Sequence, residues 1–370
     1  MALNCGIVGL PNVGKTMIFQ ALSGSKAETA NYNFSTINPN VGIVNVTDKR
    51  LSALSEIFKP KRTIPASVEF VDISGLVKGS SRGEGLGNQF LAHIRDVGVI
   101  AHVVRCFDDP DIIHVADKID PDADIETINI ELALADLDSL ARRRERIEKS
   151  RKSQVKTEQK LAETTTQALD KISPLLENGR PARHAELTSD EMAAVYDCHF
   201  ITMKPQLYVC NVDENFFRSE PNAYVKAVQR RALAEGSDAV VIAGKFEAEL
   251  CGLEDEAERI VFMEDIGLKE SGLSALIHSA YKLLGLRTFF TAGEDECRAW
   301  TIHAGDNAPR AAGVIHTDFE KGFIKAEVYT FDDIIKYGTE AKIKEAGKYR
   351  LEGKDYIVQD GDVMFFKFNV

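Results

Sequence analysis

Short apolar runs alternate with helix-like patterns over the first 125 residues of the chain. Runs of this kind, bounded by glycine, proline or polar residues, predict strands, and their alternation with helices predicts a mostly parallel sheet covered by helices. The predicted strands are 6–8, 42–46, 66–71 and 99–106. This part of the chain is therefore expected to have an α/β fold.

From about residue 126 the periodicity becomes that of helices packed on a partner. Apolar side chains recur every three or four positions in two runs, separated by a polar and basic stretch. The first run contains Ile130, Leu134, Leu137 and Ala141, and the second contains Leu161, Thr165, Ala168, Leu169, Ile172 and Leu176. The simplest interpretation is an antiparallel helical hairpin with its tip near 150–156, ended by Pro174 and the sequence NGRP at 178–181.

The α/β pattern resumes after the hairpin. The sequence TSDE at 188–191 predicts a helix start, followed by strands at 206–210 and 239–243 and a helix near 221–235. The hairpin, residues 126–187, is therefore predicted to be an insertion within one nucleotide-binding domain of residues 1–284.

The tail, residues 285–370, is rich in short β-like runs and is predicted to form a small separate domain. Its predicted strands are 288–291, 298–303, 324–328, 355–358 and 363–368, with a helix at 331–337. The sequence QDGD at 359–362 predicts a hairpin turn between the last two strands.

Composition narrows the class of protein. The 370 residues, 44% of them hydrophobic, suffice for two or three domains with proper cores. No apolar run reaches the 18 residues of a membrane-spanning helix, and the start MALNCG lacks the pattern of a secretory signal. The six cysteines are far apart and form no C-x-x-C, which favours reduced thiols over disulfides or zinc. We therefore expect a cytoplasmic protein without membrane contact.

Residues 9–16, GLPNVGKT, match the phosphate-loop pattern G-x-x-x-x-G-K-[ST] between an apolar strand and a helical run. Gly9 and Gly14 allow the backbone N–H groups to face phosphate oxygens. Lys15 supplies a positive charge to the β- and γ-phosphates, and the Thr16 hydroxyl can ligate Mg²⁺. The helix that follows directs its positive end at the anion. The loop thus predicts a nucleotide site.

Further parts of a GTPase-type site follow in order, each near a predicted strand end. Thr36, in NFSTINPN, is placed to close over Mg²⁺ and the γ-phosphate. Asp72 and Gly75, in VDISG, are placed to hold a metal-bound water and to sense the γ-phosphate. A base-recognition element is predicted at 211–214, and a second base loop at 243–245.

The base-recognition element departs from the guanine-specific pattern N-K-x-D. Here the sequence is Asn211, Val212, Asp213 and Glu214, so valine replaces the lysine and glutamate the aspartate. The extra methylene of Glu214 moves its carboxylate by roughly 1.5 Å, about one C–C bond. That shift spoils the paired hydrogen bonds to guanine and makes adenine the better candidate, with weak guanine binding as the alternative.

A second departure concerns hydrolysis. Leu76 follows Gly75 where many relatives place a glutamine that orients the attacking water, so hydrolysis is expected to be slow. Two histidines are candidates to take over this role. His102 lies in an apolar strand and is interpreted as a core residue, whereas His114 follows the acidic loop FDDPDII and is the candidate catalytic residue.

The strings GLPNVGKT, NFSTINPNVG, FVDISGLVKGSSRGEGLGNQFL, HVVRCF, ELALADLD, NVDE and DYIVQDGDVMFFKFNV resemble the YchF/Obg-like ATPase family, a branch of the Obg group of translation-factor GTPases. The similarity spans essentially the whole chain in order. It implies an Obg-type nucleotide domain with an inserted coiled-coil arm and a C-terminal TGS domain, a ubiquitin-like β-grasp module. It also implies preference for ATP over GTP, slow hydrolysis, and association with ribosomal subunits.

The resemblance also assigns roles to residues. It places nucleotide contacts at Asn12, Val13, Gly14, Lys15, Thr16 and Met17, Mg²⁺ at Thr16 and Thr36, and adenine against the backbone of Val212. The mobile-loop histidine proposed as catalytic in the family corresponds to His114. Ser35 stands where many bacterial members have cysteine, which puts thiol regulation at that position in doubt.

The hairpin is basic in an otherwise acidic protein of net charge −12. Nine Lys or Arg against three Glu lie within 142–160. Such a stretch is either a solvated helix face or a footprint for RNA phosphates, here those of the ribosome, and no feature indicates DNA specificity. Two functions remain open: a slow ATPase that switches a ribosome-bound factor, and a non-catalytic module that uses ATP as a structural ligand. A GTPase of the Obg group is the further alternative.

Overall fold

The computed structural model describes residues 4–24, 41–73, 86–112, 118–151, 155–218, 222–253, 255–268 and 270–369. The strands are β1 (Asn4–Val8), β2 (Val41–Val46), β3 (Arg62–Ile64), β4 (Ala66–Asp72), β5 (Val99–Arg105), β6 (Gln206–Asn211), β7 (Asp238–Ile242), β8 (Leu286–Ala292), β9 (Glu296–His303), β10 (Phe323–Thr330), β11 (Arg350–Glu352) and β12 (Asp362–Phe368).

Helices connect these strands. They are α1 (Lys15–Gly24), α2 (Lys49–Phe58), α3 (Leu86–Asp96), α4 (Pro121–Ser150), α5 (Lys156–Glu177), α6 (Ser189–Val195), α7 (Ala223–Glu235), α8 (Gly244–Gly252), α9 (Glu256–Asp265), α10 (Gly272–Leu283), α11 (Ala308–Ile315), α12 (Thr317–Lys321), α13 (Phe331–Tyr337) and α14 (Glu340–Glu345). The chain divides into two compact units, the first Met1–Gly42 with Glu69–Ala280 and the second Ile43–Val68 with Tyr281–Val370.

The first sheet has the strand order β2-β4-β1-β5-β6-β7. Its pairs β1–β4, β1–β5, β5–β6 and β6–β7 are all parallel. Every residue of β5 and β6 is buried, as expected for strands covered on both faces of the sheet. The predicted α/β fold with a mostly parallel sheet is confirmed, and strand ends differ from the predicted ones by one or two residues.

The helical hairpin is confirmed as well. Helix α4 ends at Ser150 and α5 begins at Lys156, which brackets the predicted tip. The two helices are antiparallel, since Arg151 donates to Thr166 while Arg144, earlier in α4, donates to Asp170, later in α5. Pro174 does not end α5 as predicted, because the helix continues to Glu177 around it.

The predicted core stripe of α4 is correct only at Leu137, which packs against the core of the hairpin, and Ala141 is exposed. Ile130 is 40% exposed, and Leu134 and Leu137 are only half-buried. The buried face is formed by Ile125, Ile128, Leu132, Ala133, Ala135, Asp136, Leu140 and Ile147. The error arises because the helix packs on α5 and on the body of the first unit at once. The apolar positions that face one partner therefore overlap in sequence with those that face the other. In α5 only Leu161, at 53% exposed, departs from the predicted stripe.

A buried carboxylate joins α4 to the chain that leads into β6. Asp136 is fully buried and accepts hydrogen bonds from the backbone N–H groups of Ile201 (2.8 Å) and Thr202 (2.7 Å) and from the Thr202 hydroxyl (2.6 Å). Burial raises the pKa of the Asp136 carboxyl to about 6, although these three donors oppose the shift. Asp136, the first aspartate of the ELALADLD string, therefore ties the arm to the 3₁₀ turn Ile201–Met203 that leads into β6.

The second unit has a mixed sheet in the order β11-β10-β12-β8-β9-β3. Strand β12 pairs antiparallel with β10 and parallel with β8, and β9 pairs parallel with β3. The predicted strand 355–358 and its hairpin with the last strand were wrong. That segment instead hydrogen-bonds to the chain before α11, with Ala308 donating to Tyr356 and Val358 donating to Asp306.

The cysteines of this structure are all free thiols. Within the described ranges, no helix combines the length and apolar character needed to cross a membrane.

We expect Asp136→Asn to destabilise the protein by about 1–3 kcal/mol, because an amide nitrogen would face backbone donors that now reach a carboxylate. The measurement is thermal or urea unfolding at pH 8, where the carboxyl is ionised. Asp138→Asn is the matched control, since Asp138 is exposed one half-turn away and its change should stay within about 0.5 kcal/mol. Equal unfolding midpoints for the two variants would contradict the structural role of Asp136.

Candidate functional site

The phosphate loop spans the turn between β1 and α1. Gly9 and Gly14 have φ of 153° and 96°, and Asn12 has φ of 62°, so the loop uses backbone conformations that most side chains avoid. A Cβ on Gly9 would clash with the carbonyl oxygen of Val103, and one on Gly14 would clash with the Asn211 amide. Both glycines are thus required by conformation and by space, and a backbone curled in this way can present N–H groups to an anion.

Lys15, Thr16 and Met17 begin α1 at the positive end of the helix. The Lys15 ammonium donates to the carbonyl of Leu10 at 2.7 Å and so lies across its own loop. Burial lowers the pKa of Lys15, and the charge of Asp72 partly opposes that shift. Thr16 and Met17 are exposed, so this helix start is open to a ligand.

Asp72 ends β4 directly beside β1, in register with Ile7. Its carboxylate is 7% exposed, and its Oδ1 has no hydrogen-bond partner among the described residues. A buried, ionisable oxygen without a partner is costly unless water or a cation meets it. Asp72 therefore fits a site for a Mg²⁺-bound water, next to the loop that would hold the phosphates.

Asn211 connects the phosphate loop to the base side of the site. It is buried at the end of β6, and its Nδ2 donates to the carbonyl of Val13 at 2.9 Å. Its Oδ1 accepts from the backbone N–H of Gly244 at 3.0 Å, where α8 begins. One amide side chain thus holds the two loops that follow β1 and β7.

The next residues of the base-recognition element have different environments. The Val212 side chain is 3% exposed within an apolar cluster, and its N–H donates to the carbonyl of Ile242 at 2.8 Å. Only the Val212 carbonyl can therefore serve a ligand through the backbone. Glu214 is exposed and begins a short 3₁₀ turn, Glu214–Arg218, so its carboxylate is not fixed inside the site.

His102 is not part of the open site. It is 1% exposed, and its Nδ1 lies 3.0 Å from the side-chain nitrogen of Gln206. Burial lowers the pKa of His102 to about 3, so the imidazole is neutral. Its interpretation as a core histidine agrees with this environment. Thr36, Gly75, Leu76 and His114 lie outside the described residues.

Arg105 is a site-related residue that sequence reasoning missed. It is 1% exposed at the end of β5, and its guanidinium donates to the carbonyls of Phe107 (3.2 Å), Asp109 (3.0 Å) and Ile112 (2.9 Å). It therefore holds the loop that follows β5, beside Asn211 in the neighbouring strand. The signal in the sequence was a charged residue within the apolar run VVRCF.

Two family models match separate parts of the chain. A family model described as 50S ribosome-binding GTPase matches residues 4–137. The model YchF-GTPase_C, described as a protein of unknown function (DUF933), matches residues 286–369.

Full-length relatives extend the match over the whole chain. Proteins named "Ribosome-binding ATPase YchF" are 54% identical over 370 residues in Haemophilus ducreyi and 50% identical over 371 residues in Bacillus subtilis, each match covering 100% of both chains. A solved structure of the Schizosaccharomyces pombe YchF GTPase is 37% identical, covers 98% of this chain and 97% of its own, and superposes with a TM-score of 0.88. Because these matches cover the full length at 50–54% identity, the chain belongs to the YchF family.

Proposed function

We propose that this protein is a ribosome-binding ATPase that binds ATP in preference to GTP, hydrolyses it slowly, and uses the bound nucleotide as a switch. The observation that carries the proposal is the Asn211 amide, which joins the phosphate loop to the base side of the site next to a valine instead of a lysine. The full-length relatives carry the name ribosome-binding ATPase, whereas the Schizosaccharomyces pombe protein is called a GTPase. The preferred base is therefore the first property to measure.

The phosphates would be bound by the loop itself. Its N–H groups and the α1 start would face the anion, and Lys15 would exchange its bond to Leu10 for the β- and γ-phosphates. Mg²⁺ would be held by the hydroxyls of Thr16 and Thr36 and would neutralise charge on the phosphates. Among the described residues no cluster of three His, Cys, Asp or Glu side chains could hold a metal by itself, so nucleotide oxygens would complete this site.

The base preference follows from which backbone atom is left free. Because the Val212 N–H is bound to Ile242, its carbonyl is the atom available to a base. A carbonyl accepts from the N6 amine of adenine, whereas the O6 of guanine is itself an acceptor and would be repelled. The exposed Glu214 is not fixed in the position that a guanine-binding carboxylate needs.

Slow hydrolysis is proposed from Leu76, which cannot orient a water, and His114 is proposed as the catalytic residue in its place. The loop anchored by Arg105 at residues 107–112 leads directly toward His114 in sequence. Asp72 and Gly75 would respond to the presence of the γ-phosphate, so the site would distinguish ATP from ADP as well as bind the phosphates.

The domain assignment is part of the proposal. We propose that residues 1–284 form the nucleotide domain, that 126–187 form a coiled-coil insertion, and that 285–370 form a TGS-type β-grasp domain. The antiparallel α4–α5 pair supports the insertion, and strands β8 to β12 support the C-terminal domain. The second unit of the structure also takes Ile43–Val68, so the proposed 1–284 domain contributes this segment to it. A ribosomal partner also supports a cytoplasmic location.

The ribosome contact is proposed for the basic arm, residues 142–160, with RNA phosphates as the ligand. Six of its nine cations fall into two groups in the structure. Arg143, Arg144 and Arg151 form ion pairs with Asp197, Asp170 and Glu148. The side chains of Lys149, Lys156 and Lys160 are exposed near the tip and have no acidic partner among the residues that the structure describes. The second group is the better footprint for phosphates.

We expect the purified protein to bind ATP at least about tenfold more tightly than GTP, a difference of about 1.4 kcal/mol. Titration calorimetry with non-hydrolysable analogues measures both affinities. Glu214→Asp, which restores the shorter carboxylate, should narrow the gap by improving GTP binding. Equal or tighter GTP binding by the unaltered protein would instead support an Obg-type GTPase.

Hydrolysis should depend on Lys15 and His114. We expect Lys15→Ala to abolish nucleotide binding, and His114→Ala to retain binding while lowering kcat by about 10²-fold or more, the usual loss when a proton-transfer or positioning group is removed. Multiple-turnover phosphate release, with and without ribosomes, is the measurement. His316→Ala is the control, because His316 is exposed in the second unit and far along the chain. Full activity in Lys15→Ala would reveal a contaminant, and no turnover in any sample would favour the non-catalytic module.

Reversing the charge of the arm tip should weaken ribosome binding. We expect Lys156→Glu with Lys160→Glu to abolish salt-sensitive cosedimentation with ribosomes, since two attractive phosphate contacts become repulsive. Lys118→Glu with Lys226→Glu makes the same charge change on exposed residues outside the arm and should cosediment normally. If both double variants cosediment alike, the arm tip is not the contact.

A further inference from the structure

Arginine side chains converge where α4 passes the turn that precedes β6. Ser139, Arg142, Arg143 and Arg146 share one face of α4, since they are spaced three, one and three residues apart. Together with Asp197 and Cys198, on a short 3₁₀ turn Tyr196–Cys198, they line a cavity of 110 Å³. We call this cavity the arginine pocket. It has room for several waters, each of which takes about 30 Å³ in the liquid.

The Ser139 hydroxyl is the point where two of the cations meet. Its Oγ accepts from the Arg95 guanidinium at 3.1 Å and from the Arg142 guanidinium at 3.5 Å, and it donates to the carbonyl of Ala135 at 3.3 Å. A neutral hydroxyl is thus the shared acceptor of two positive charges. A hydroxyl cannot neutralise either of them, and an anion at the same place would do so.

The remaining charges leave the pocket positive. Arg143 is paired with Asp197 at 2.9 Å and also donates to the Ala194 carbonyl at 3.4 Å, yet its Nε is buried without a partner among the described residues. Arg146 is exposed and has no acidic partner in the described ranges. Asp136, which is close enough to interact with Arg95, is already held by three donors. Three arginines, Arg142, Arg143 and Arg146, therefore line the pocket with a single carboxylate, Asp197, while Arg95 reaches the Ser139 hydroxyl beside them.

We propose that the arginine pocket binds a phosphate group of RNA. The planar guanidinium presents paired N–H donors that match two phosphate oxygens, and Arg142 and Arg146 have such donors to spare. The proposal rests on the proposed ribosome binding and gives it a defined site. The tip lysines attract RNA without fixing its position, whereas arginines grouped around one cavity position one phosphate and so orient the arm.

Cys198 provides a test that needs no ribosome, because its thiol lines the pocket and is half-buried. A bound phosphate would cover it and slow its alkylation, which mass spectrometry of the labelled protein measures. A short RNA duplex at about five times its dissociation constant should slow the labelling of Cys198 about sixfold, because one-site binding leaves about one-sixth of the pockets empty. Cys251, half-buried on α8, is the internal reference and should label at an unchanged rate.

Single charge removals on one helix supply the matched comparison. Arg142→Gln and Arg146→Gln should each raise the RNA concentration that half-protects Cys198 by about tenfold. This is the loss typical of one charge-assisted contact. Arg144→Gln removes the same charge between them, yet Arg144 is paired with Asp170 on α5 and does not line the pocket, so protection should persist. Equal loss in all three variants would mean diffuse attraction by the arm and would overturn the pocket.

Two further measurements distinguish RNA from a small phosphate compound as the ligand, and distinguish failure of the pocket from failure of ribosome binding. Protection by inorganic pyrophosphate but not by RNA would show a site for a small phosphate compound and overturn the RNA assignment. Ribosome cosedimentation of the unaltered protein without RNA protection of Cys198 would overturn the pocket and leave ribosome binding intact. Protection of Cys198 without cosedimentation would support the pocket and overturn ribosome binding. When both hold, Arg142→Gln with Arg146→Gln should lower the salt slope of cosedimentation by about 2.

Discussion

The site depends on one side chain, the amide of Asn211. Its two ends bind backbone groups that lie 198 and 33 residues away in sequence, at Val13 and Gly244. Both bonds are buried, so neither can be replaced by water without opening the loop. Gly14 must also lack a Cβ because this amide lies against it. The phosphate loop, the base loop and the end of β6 therefore have one shared geometry, and changing any one of them changes the other two.

The sequence predicted those parts of the structure whose conformation is set by residues close together in the chain. The phosphate loop was predicted because its glycines meet conformational demands that no other residue satisfies, as the φ angles of Gly9 and Gly14 show. The strands β5 and β6 were predicted because both faces are buried and most of their positions are apolar. The helix starting at Ser189 was signalled by the Thr188–Glu191 capping box, which the structure contains.

Long-range packing decided what the sequence could not show. The buried face of α4 was misjudged because that helix has two partners, and the burial of Asp136 depends on donors about 65 residues away. The segment at 355–358 has strand-like residues, yet the chain at 306–308 takes its hydrogen bonds. Arg105 was passed over because a lone arginine in an apolar run has no periodic signature, and its three carbonyl partners become neighbours only when the loop closes on it.

The second unit is assembled from an early piece of chain, Ile43–Val68, and a late piece, Tyr281–Val370. This division constrains the order in which the protein can fold during synthesis. Strand β3 pairs with β9, and Arg50 on α2 pairs with Asp360 across 310 residues. The Arg50 guanidinium also lies over the ring of Phe290, which belongs to the late piece. At about 5–20 residues per second, the 234 residues between Lys61 and its partner Asp295 take roughly 10–50 s to synthesise. During that interval α2 and β3 have none of their partners from the late piece, so the order of synthesis obliges the second unit to fold last.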